Sequence, residues 1–72
     1  GPDLSGMIPV PTLLGLPRAA ALIALERAGL KPGAIAEQES RSAPGTIIGQ
    51  EPEPGAEVAA ELPIALVVAV PE

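Results

Sequence analysis

The sequence predicts an α+β domain with the element order β-α-β-β-β, in which one helix packs on a small three-stranded, mostly antiparallel sheet. Three observations support this prediction: a single run of strong helix formers, later apolar runs separated by Pro and Gly, and a length of 72 residues. A chain near this length buries only about 60% of the surface that it exposes when unfolded. Because the sequence has no aromatic residue and no Cys, its core must consist of Leu, Ile, Val and Ala.

The first residues of the chain are interpreted separately from the fold. The initial Gly-Pro is similar to the scar that a tag-removing protease leaves, so residues 1–6 are assigned to a tag remnant or linker. Residues 7–72 are predicted to form one domain. Residues 7–10 are expected to be an edge strand or extended arm, because a residue that precedes a proline avoids helical geometry.

A helix is predicted over residues 17–28. Pro17 suits the first helical position, where its missing N–H costs no hydrogen bond, and Ala and Leu dominate the residues that follow. Gly29 suits the left-handed position after a helix, and Leu30 is the apolar residue that folds back onto the last turn. At about 100° per residue, the apolar residues of one face are Ala21, Leu22, Leu25 and Ala28.

Three strands are predicted after the helix, each bounded by residues that break regular structure. The strands are placed at residues 34–39, 46–51 and 64–70. The last is the most apolar and is expected to lie at the centre of the sheet. Lys-Pro-Gly at residues 31–33 is predicted to be a turn, residues 40–45 a loop and residues 56–60 a connector. Pro54 and Gly55 suit the two central positions of a type II turn.

The composition excludes several classes of function. Without His or Cys, the chain lacks the usual zinc ligands and the usual nucleophile–base pairs, so we predict no enzyme activity, no catalytic residue, no metal site and no cofactor. Nine acidic and four basic residues, with a formal charge of −5, cannot produce the positive field that nucleic acids require. The longest apolar stretch, residues 62–70, is much shorter than the roughly 20 residues of a membrane span, so no membrane insertion is expected within this segment.

Gly and Pro residues mark the element boundaries in a specific order. The first half of this pattern lies in VPTLLGLPRAAALIALERAGLKPG, at Val10, Pro11, Gly15, Ala21, Leu25, Ala28, Gly29 and Leu30. The second half lies in GTIIGQEPEPGAEV, at Gly45, Ile47, Gln50, Pro52 and Gly55. Together with the closing IALVVAV, and over about residues 8–70, these halves resemble a PASTA domain, whose second half reads G-x-V-x-x-Q-x-P-x-x-G.

The resemblance implies a setting as well as a fold. PASTA domains occur in penicillin-binding proteins and in serine/threonine kinases, usually as tandem repeats outside the bacterial membrane. The family is associated with the recognition of peptidoglycan fragments and β-lactams, although many members bind neither and act as spacers or protein-contact modules. By resemblance, this chain is expected on the extracytoplasmic face of a bacterial cell, as part of a larger protein and monomeric when isolated.

Four residues are candidates for ligand binding. A muropeptide carries carboxylates, which Arg binds in bidentate fashion, so Arg18, Arg27 and Arg41 are candidates. Their alternative role is an ordinary place on the surface, and Arg27 could instead cover Ile23 with its aliphatic stem. Gln50 begins a proline-rich loop that is preorganised for recognition, but its side chain could instead bond to the loop backbone.

Ala19, Ala20 and Ile23 are candidates for an interface. They form an apolar patch at helical spacing on the outward face, whereas this face is usually charged in the family. The alternative is that they are exposed apolar residues without a role. Glu37 and Glu39 share a strand face, and we interpret them as solvated side chains because no nucleophile or further ligand accompanies them.

Two hypotheses of function follow. The first is a non-catalytic, cell-wall-associated binding module that recognises peptidoglycan fragments or β-lactams. The alternative is a structural spacer or protein–protein interaction module without a small-molecule ligand, in contact with neighbouring PASTA or other protein domains. The shortage of polar groups that could contact a ligand favours the alternative, whereas the family resemblance favours the first.

Overall fold

A computed structural model describes residues 6–72, so the assignment of residues 1–6 to a tag remnant or linker lies almost entirely outside the described residues. Within residues 6–72 the chain forms one helix and five strands. The elements are β1 (Met7–Pro9), α1 (Arg18–Ala28), β2 (Lys31–Glu39), β3 (Ile47–Glu51), β4 (Glu57–Ala59) and β5 (Pro63–Val70). The predicted α+β class, with a single helix, is confirmed.

The main sheet has the strand order β2-β5-β3, so β5 is central, as its apolar sequence predicts. β3 runs antiparallel to β5, but β2 runs parallel to it. The expectation of a mostly antiparallel sheet is therefore corrected to a mixed sheet. The reason is that β2 and β5 start at the same end of the domain. There the Glu61 N–H donates to the Gly29 carbonyl (2.7 Å) and the Lys31 N–H donates to the Leu62 carbonyl (3.3 Å).

A second, two-stranded sheet joins β1 to β4 in antiparallel register, with Ile8 opposite Val58. The predicted edge strand near the start of the chain is confirmed, but the prediction of a connector over residues 56–60 is wrong. Hydrogen bonds beside the pair explain the difference: the Val10 N–H donates to the Ala56 carbonyl, and the Gly55 N–H donates to the Val10 carbonyl. An extended arm needs a partner for its backbone groups, and the segment after the Pro54-Gly55 turn supplies it.

The two ends of α1 differ in how closely they match the prediction. Pro17 is the residue before the helix, with extended backbone angles (φ −61°, ψ 150°), and not its first helical residue. Gly29 adopts the left-handed conformation (φ 81°) as predicted. The Gly29 N–H donates to the Glu26 carbonyl and the Leu30 N–H donates to the Leu25 carbonyl, the two bonds of a Schellman motif.

The Schellman motif also explains why no separate turn follows the helix. The chain has already reversed direction at Leu30, so β2 begins directly at Lys31 and the predicted turn at residues 31–33 is wrong. Gly33, the last residue of the predicted turn, lies at a bulge between Pro32 and Ile35. A Cβ on Gly33 would lie 3.2 Å from the Ile64 carbonyl oxygen, so this close approach favours glycine.

The core lies between α1 and one face of the main sheet, and it is entirely aliphatic. Its buried members are Val10, Leu13, Ala21, Leu25, Leu30, Ile47, Ile64, Leu66 and Val68. The predicted apolar face of the helix is confirmed, since Ala21 and Leu25 are buried and Leu22 and Ala28 pack against them. The buried residues on β5 alternate with more exposed Ala65 and Val67, so the opposite sheet face is not covered by the helix.

Candidate functional site

A cleft of about 750 Å³ opens at the C-terminal end of α1. Its lining residues are Leu22, Glu26, Gly29, Leu30, Lys31, Pro32, Ala60 and Glu61. They come from three places that the fold brings together: the last turns of the helix, the start of β2 and the turn before β5. Its volume lies in the range of small-molecule sites, about 300–1,000 Å³.

Two left-handed residues shape the cleft. Gly29 ends the helix, and Glu61 has a φ of 65°, the one positive value found on a non-glycine residue among residues 6–72. A left-handed conformation costs a residue with a Cβ about 1–2 kcal/mol. The bond from the Glu61 N–H to the Gly29 carbonyl (2.7 Å) holds Glu61 in this conformation beside the end of the helix. Strained residues of this kind occur preferentially at functional sites.

Charged and apolar groups lie on different parts of the cleft. Leu22 and Pro32 supply apolar surface, whereas Glu26, Lys31 and Glu61 supply charge. The Lys31 Nζ and a carboxylate oxygen of Glu61 are 4.0 Å apart, with side chains 62% and 74% exposed. An exposed pair at this distance contributes little to stability, so both groups are available to a ligand. The cleft therefore suits a small molecule with an apolar part, a carboxylate and an amine.

The three candidate arginines are not part of this cleft. Arg18 and Arg27 lie in the first and last turns of α1, nine residues and about 14 Å apart along the helix axis. Arg41 lies in the loop after β2 and pairs with Glu72 at 3.3 Å on the surface. Arg27 is the basic residue of the last helical turn, where positive charge complements the helix dipole. The structure does not bring the three arginines together into one anion site.

Gln50 holds the segment before the helix against β3. Its side-chain oxygen accepts a hydrogen bond from the Leu13 N–H (2.8 Å), and its side-chain nitrogen donates to the carbonyls of Pro11 (3.1 Å) and Pro52 (3.2 Å). These bonds give Gln50 the structural role that the sequence left open as its alternative. The following turn is also structural, because the Ala56 N–H donates to the Glu53 carbonyl across Pro54-Gly55.

The candidate interface on α1 is partly exposed. Ile23 is 52% exposed, Ala19 is exposed and Ala20 is half-buried. Leu14, in the loop before the helix, is a second large apolar residue at the surface (44% exposed), and no sequence pattern identified it. The sequence does not indicate the charged residues of the cleft, because Lys31 and Glu61 come together only when the starts of β2 and β5 meet.

Glu37 and Glu39 are exposed on β2, as expected for solvated side chains. Among the described residues, no group of three or more acidic side chains is placed to hold a metal ion. Within the same part of the chain, the single helix is too short to cross a membrane.

Comparisons with known proteins agree with this fold. The family described as PASTA domain matches residues 8–69. Among solved structures, the entire extracellular region of the Ser/Thr kinase PrkC from Staphylococcus aureus superposes with a TM-score of 0.78 at 23% sequence identity. The match covers 83% of this chain and 22% of that one, and at this identity it shows the fold alone. No curated protein sequence matches the chain.

Proposed function

This chain belongs to the PASTA domain family, a family of binding domains and not of enzymes, and we propose that it is a non-catalytic, cell-wall-associated module that binds peptidoglycan fragments. In this proposal it lies on the extracytoplasmic side of a bacterial cell, as part of a larger protein. The kinase extracellular region that shares its fold supports this setting. The observation that carries the proposal is the cleft at the end of α1.

The chemistry of the cleft suits a stem peptide. Such a peptide combines methyl side chains with carboxylates and an amine. The apolar surface of Leu22 and Pro32 suits the methyl groups, Lys31 suits a carboxylate, and Glu26 and Glu61 suit the amine. Because all three charged side chains are exposed to solvent, each contact contributes little, and the expected affinity is weak.

An NMR titration tests this proposal. With muropeptide at millimolar concentration, we expect saturable shifts of the amides of Leu30, Lys31 and Glu61, and a β-lactam is titrated in the same way. Lys31→Gln should weaken muropeptide binding about two- to fivefold, because it removes one exposed charged contact. Glu53→Gln, at an exposed position in the turn before β4, is the control and should leave the affinity unchanged.

Variants of the three candidate arginines test whether a ligand carboxylate binds outside the cleft. Arg18→Gln, Arg27→Gln and Arg41→Gln remove the cations outside the cleft one at a time. If one of them weakens binding and Lys31→Gln does not, the carboxylate binds outside the cleft and the assignment of the site is wrong. If neither muropeptide nor β-lactam produces saturable shifts, the proposed binding function is wrong.

The exposure of Ile23 supports a second candidate function, a contact with a neighbouring protein domain. Ile23→Glu should abolish such a contact without loss of stability, because the side chain is already half in solvent. Ala34→Glu, also at an exposed position but on β2, is the matched control. Sedimentation of the chain together with the adjoining domains of its parent protein is the measurement. Unchanged association of Ile23→Glu would argue against this role.

A further inference from the structure

One edge of the main sheet is unpaired. Within residues 6–72, β2 pairs with β5 on one side, and no backbone group bonds to its other side. We call this side, over residues 35–39, the open edge. An unpaired edge of this kind is a template for another extended chain.

One hydrogen bond and the register of β2 on β5 show which backbone groups face the open edge. The Ser40 N–H donates to the Val70 carbonyl (3.0 Å), so the groups of Ser40 point toward β5. Backbone groups alternate in direction along a strand, and the register from Ile35 to Glu39 is unbroken. The N–H and carbonyl groups of Ile35, Glu37 and Glu39 therefore point outward. They form a row of three donors and three acceptors without a partner in the described chain.

The side chains of the same three residues share one face of the sheet. Ile35 lies opposite Leu66, Glu37 opposite Val68 and Glu39 opposite Val70. Ile35 is half-buried against the core, whereas Glu37 and Glu39 are exposed. A strand placed along the open edge would therefore meet one apolar side chain followed by two carboxylates, at alternate positions.

A second copy of this chain is a poor occupant of the open edge. A symmetric antiparallel pair centred on Glu37 would use all three outward residues, but it would place Glu37 opposite Glu37 and Ile35 opposite Glu39. Like charges directly opposite each other are destabilising. Each chain also carries a formal charge of −5, so two copies repel each other at long range.

We propose that the open edge binds an extended basic segment of a partner protein, which adds to β2 as an antiparallel fourth strand of the main sheet. Two basic side chains lie opposite Glu39 and Glu37, and an apolar side chain lies opposite Ile35. The recognised pattern, from N- to C-terminus, is basic-x-basic-x-apolar. The bulge between Pro32 and Ile35 ends the pairing, so the bound segment is short.

A capped peptide, Thr-Lys-Thr-Lys-Thr-Val-Thr, tests the proposal on the whole chain. We expect saturable NMR shifts along β2 and slower hydrogen exchange, by about tenfold at saturation, at the amides of Ile35, Glu37 and Glu39. The amides of Ala36 and Gln38 face β5 and should change little. Absence of saturable shifts at millimolar peptide would overturn the proposal.

Two modified peptides separate strand addition from simple attraction between charges. The first carries N-methyl groups on the backbone nitrogens of both lysines and the valine, which blocks hydrogen bonds to β2 and leaves the charges intact. The second replaces both lysines with glutamates. We expect neither to bind, and equal binding of the N-methylated peptide would show a purely electrostatic contact and overturn strand addition.

Variants of the protein supply the matched control. Glu37→Lys with Glu39→Lys should weaken peptide binding about tenfold or more, because it turns two attractions into repulsions. Glu53→Lys with Glu57→Lys makes the same change of net charge outside β2 and should have a much smaller effect. Equal effects of the two pairs would contradict the proposal. Self-association that the first pair alone abolishes would assign the open edge to a second copy.

The open edge and the cleft are read out separately. Muropeptide binding is followed at Leu30 and Glu61, and peptide binding is followed at Ile35, Glu37 and Glu39. Failure of either proposal therefore leaves the other measurable in the same sample.

Discussion

The two edges of the main sheet have opposite environments. The β3 edge is closed: the Gly15 N–H donates to the Ile47 carbonyl, the Ile47 N–H donates to the Leu16 carbonyl, and the Gln50 side chain bonds to the segment beyond. The β2 edge, over residues 35–39, has no partner within the described chain. The segment before the helix thus covers the β3 edge. The β2 edge carries charged side chains and a bulge, features that usually limit unwanted pairing at an exposed edge.

This difference predicts that contacts at the β3 edge stabilise the fold, whereas contacts at the β2 edge bind a partner. Closing the β3 edge buries Ile47 and joins the segment before α1 to the sheet. The β2 edge contributes less to the core. Ile35 is its large apolar side chain on the core-facing side, and it is only half-buried. Changes at the β3 edge should therefore alter the free energy of unfolding, whereas changes at the β2 edge should mainly alter binding.

The largest expected difference comes from the same substitution at both edges. Ile47, on β3, is 1% exposed, and Ile47→Ala should lower the free energy of unfolding by about 3 kcal/mol, through lost burial and a residual cavity. Ile35→Ala should lower it by only about 1 kcal/mol, because much of that side chain already contacts water. Urea denaturation measures both. Equal losses would contradict the assignment of stability to the β3 edge.

A second matched pair compares the two glutamines of the sheet. Gln50→Ala should destabilise the chain by about 2 kcal/mol, because it leaves the partly buried Leu13 N–H and Pro11 carbonyl without partners. Gln38→Ala, at an exposed position on β2, should change the free energy of unfolding by less than about 0.5 kcal/mol. A small effect of Gln50→Ala would show that water replaces its hydrogen bonds and that Gln50 does not close the β3 edge.

The smallest effect is expected at Gly15, which lies in the segment before α1 and donates its N–H to the Ile47 carbonyl of β3. Gly15 has a φ of 87°, and a Cβ there would meet no atom within 4 Å. Gly15→Ala should therefore cost about 1 kcal/mol from backbone conformation alone. Gly6→Ala, where space is also open and φ is not left-handed, is the control and should be neutral. A larger loss at Gly15 would indicate that its bond to Ile47 also breaks.

Several parts of the fold could be predicted because local chemistry decides them. The run of Ala and Leu predicted the helix, and Gly29 with Leu30 predicted the way it ends. Pro54 followed by Gly55 predicted the turn before β4. Uninterrupted apolar residues predicted that β5 lies at the centre of the sheet. In each case the residues that set the structure lie next to one another in the chain.

The candidate sites were less predictable from the sequence. The guanidinium groups of Arg18, Arg27 and Arg41 predict carboxylate binding, but the fold separates the two on α1 and pairs Arg41 with Glu72 on the surface. The cleft instead uses Lys31 and Glu61, which are 30 residues apart in sequence and meet because β2 and β5 start side by side. Residue type alone does not show which distant side chains come into contact in the fold.

The sequence by itself determined the family, the helix with its left-handed C-terminal residue, the central strand and the aliphatic core, because these follow from composition and from neighbouring residues. The tertiary structure alone decided that β2 runs parallel to β5, that β4 pairs with β1, that Gln50 closes the β3 edge and that the β2 edge stays open. Each of these depends on hydrogen bonds between segments far apart in the chain. Such bonds form only when the whole domain is assembled.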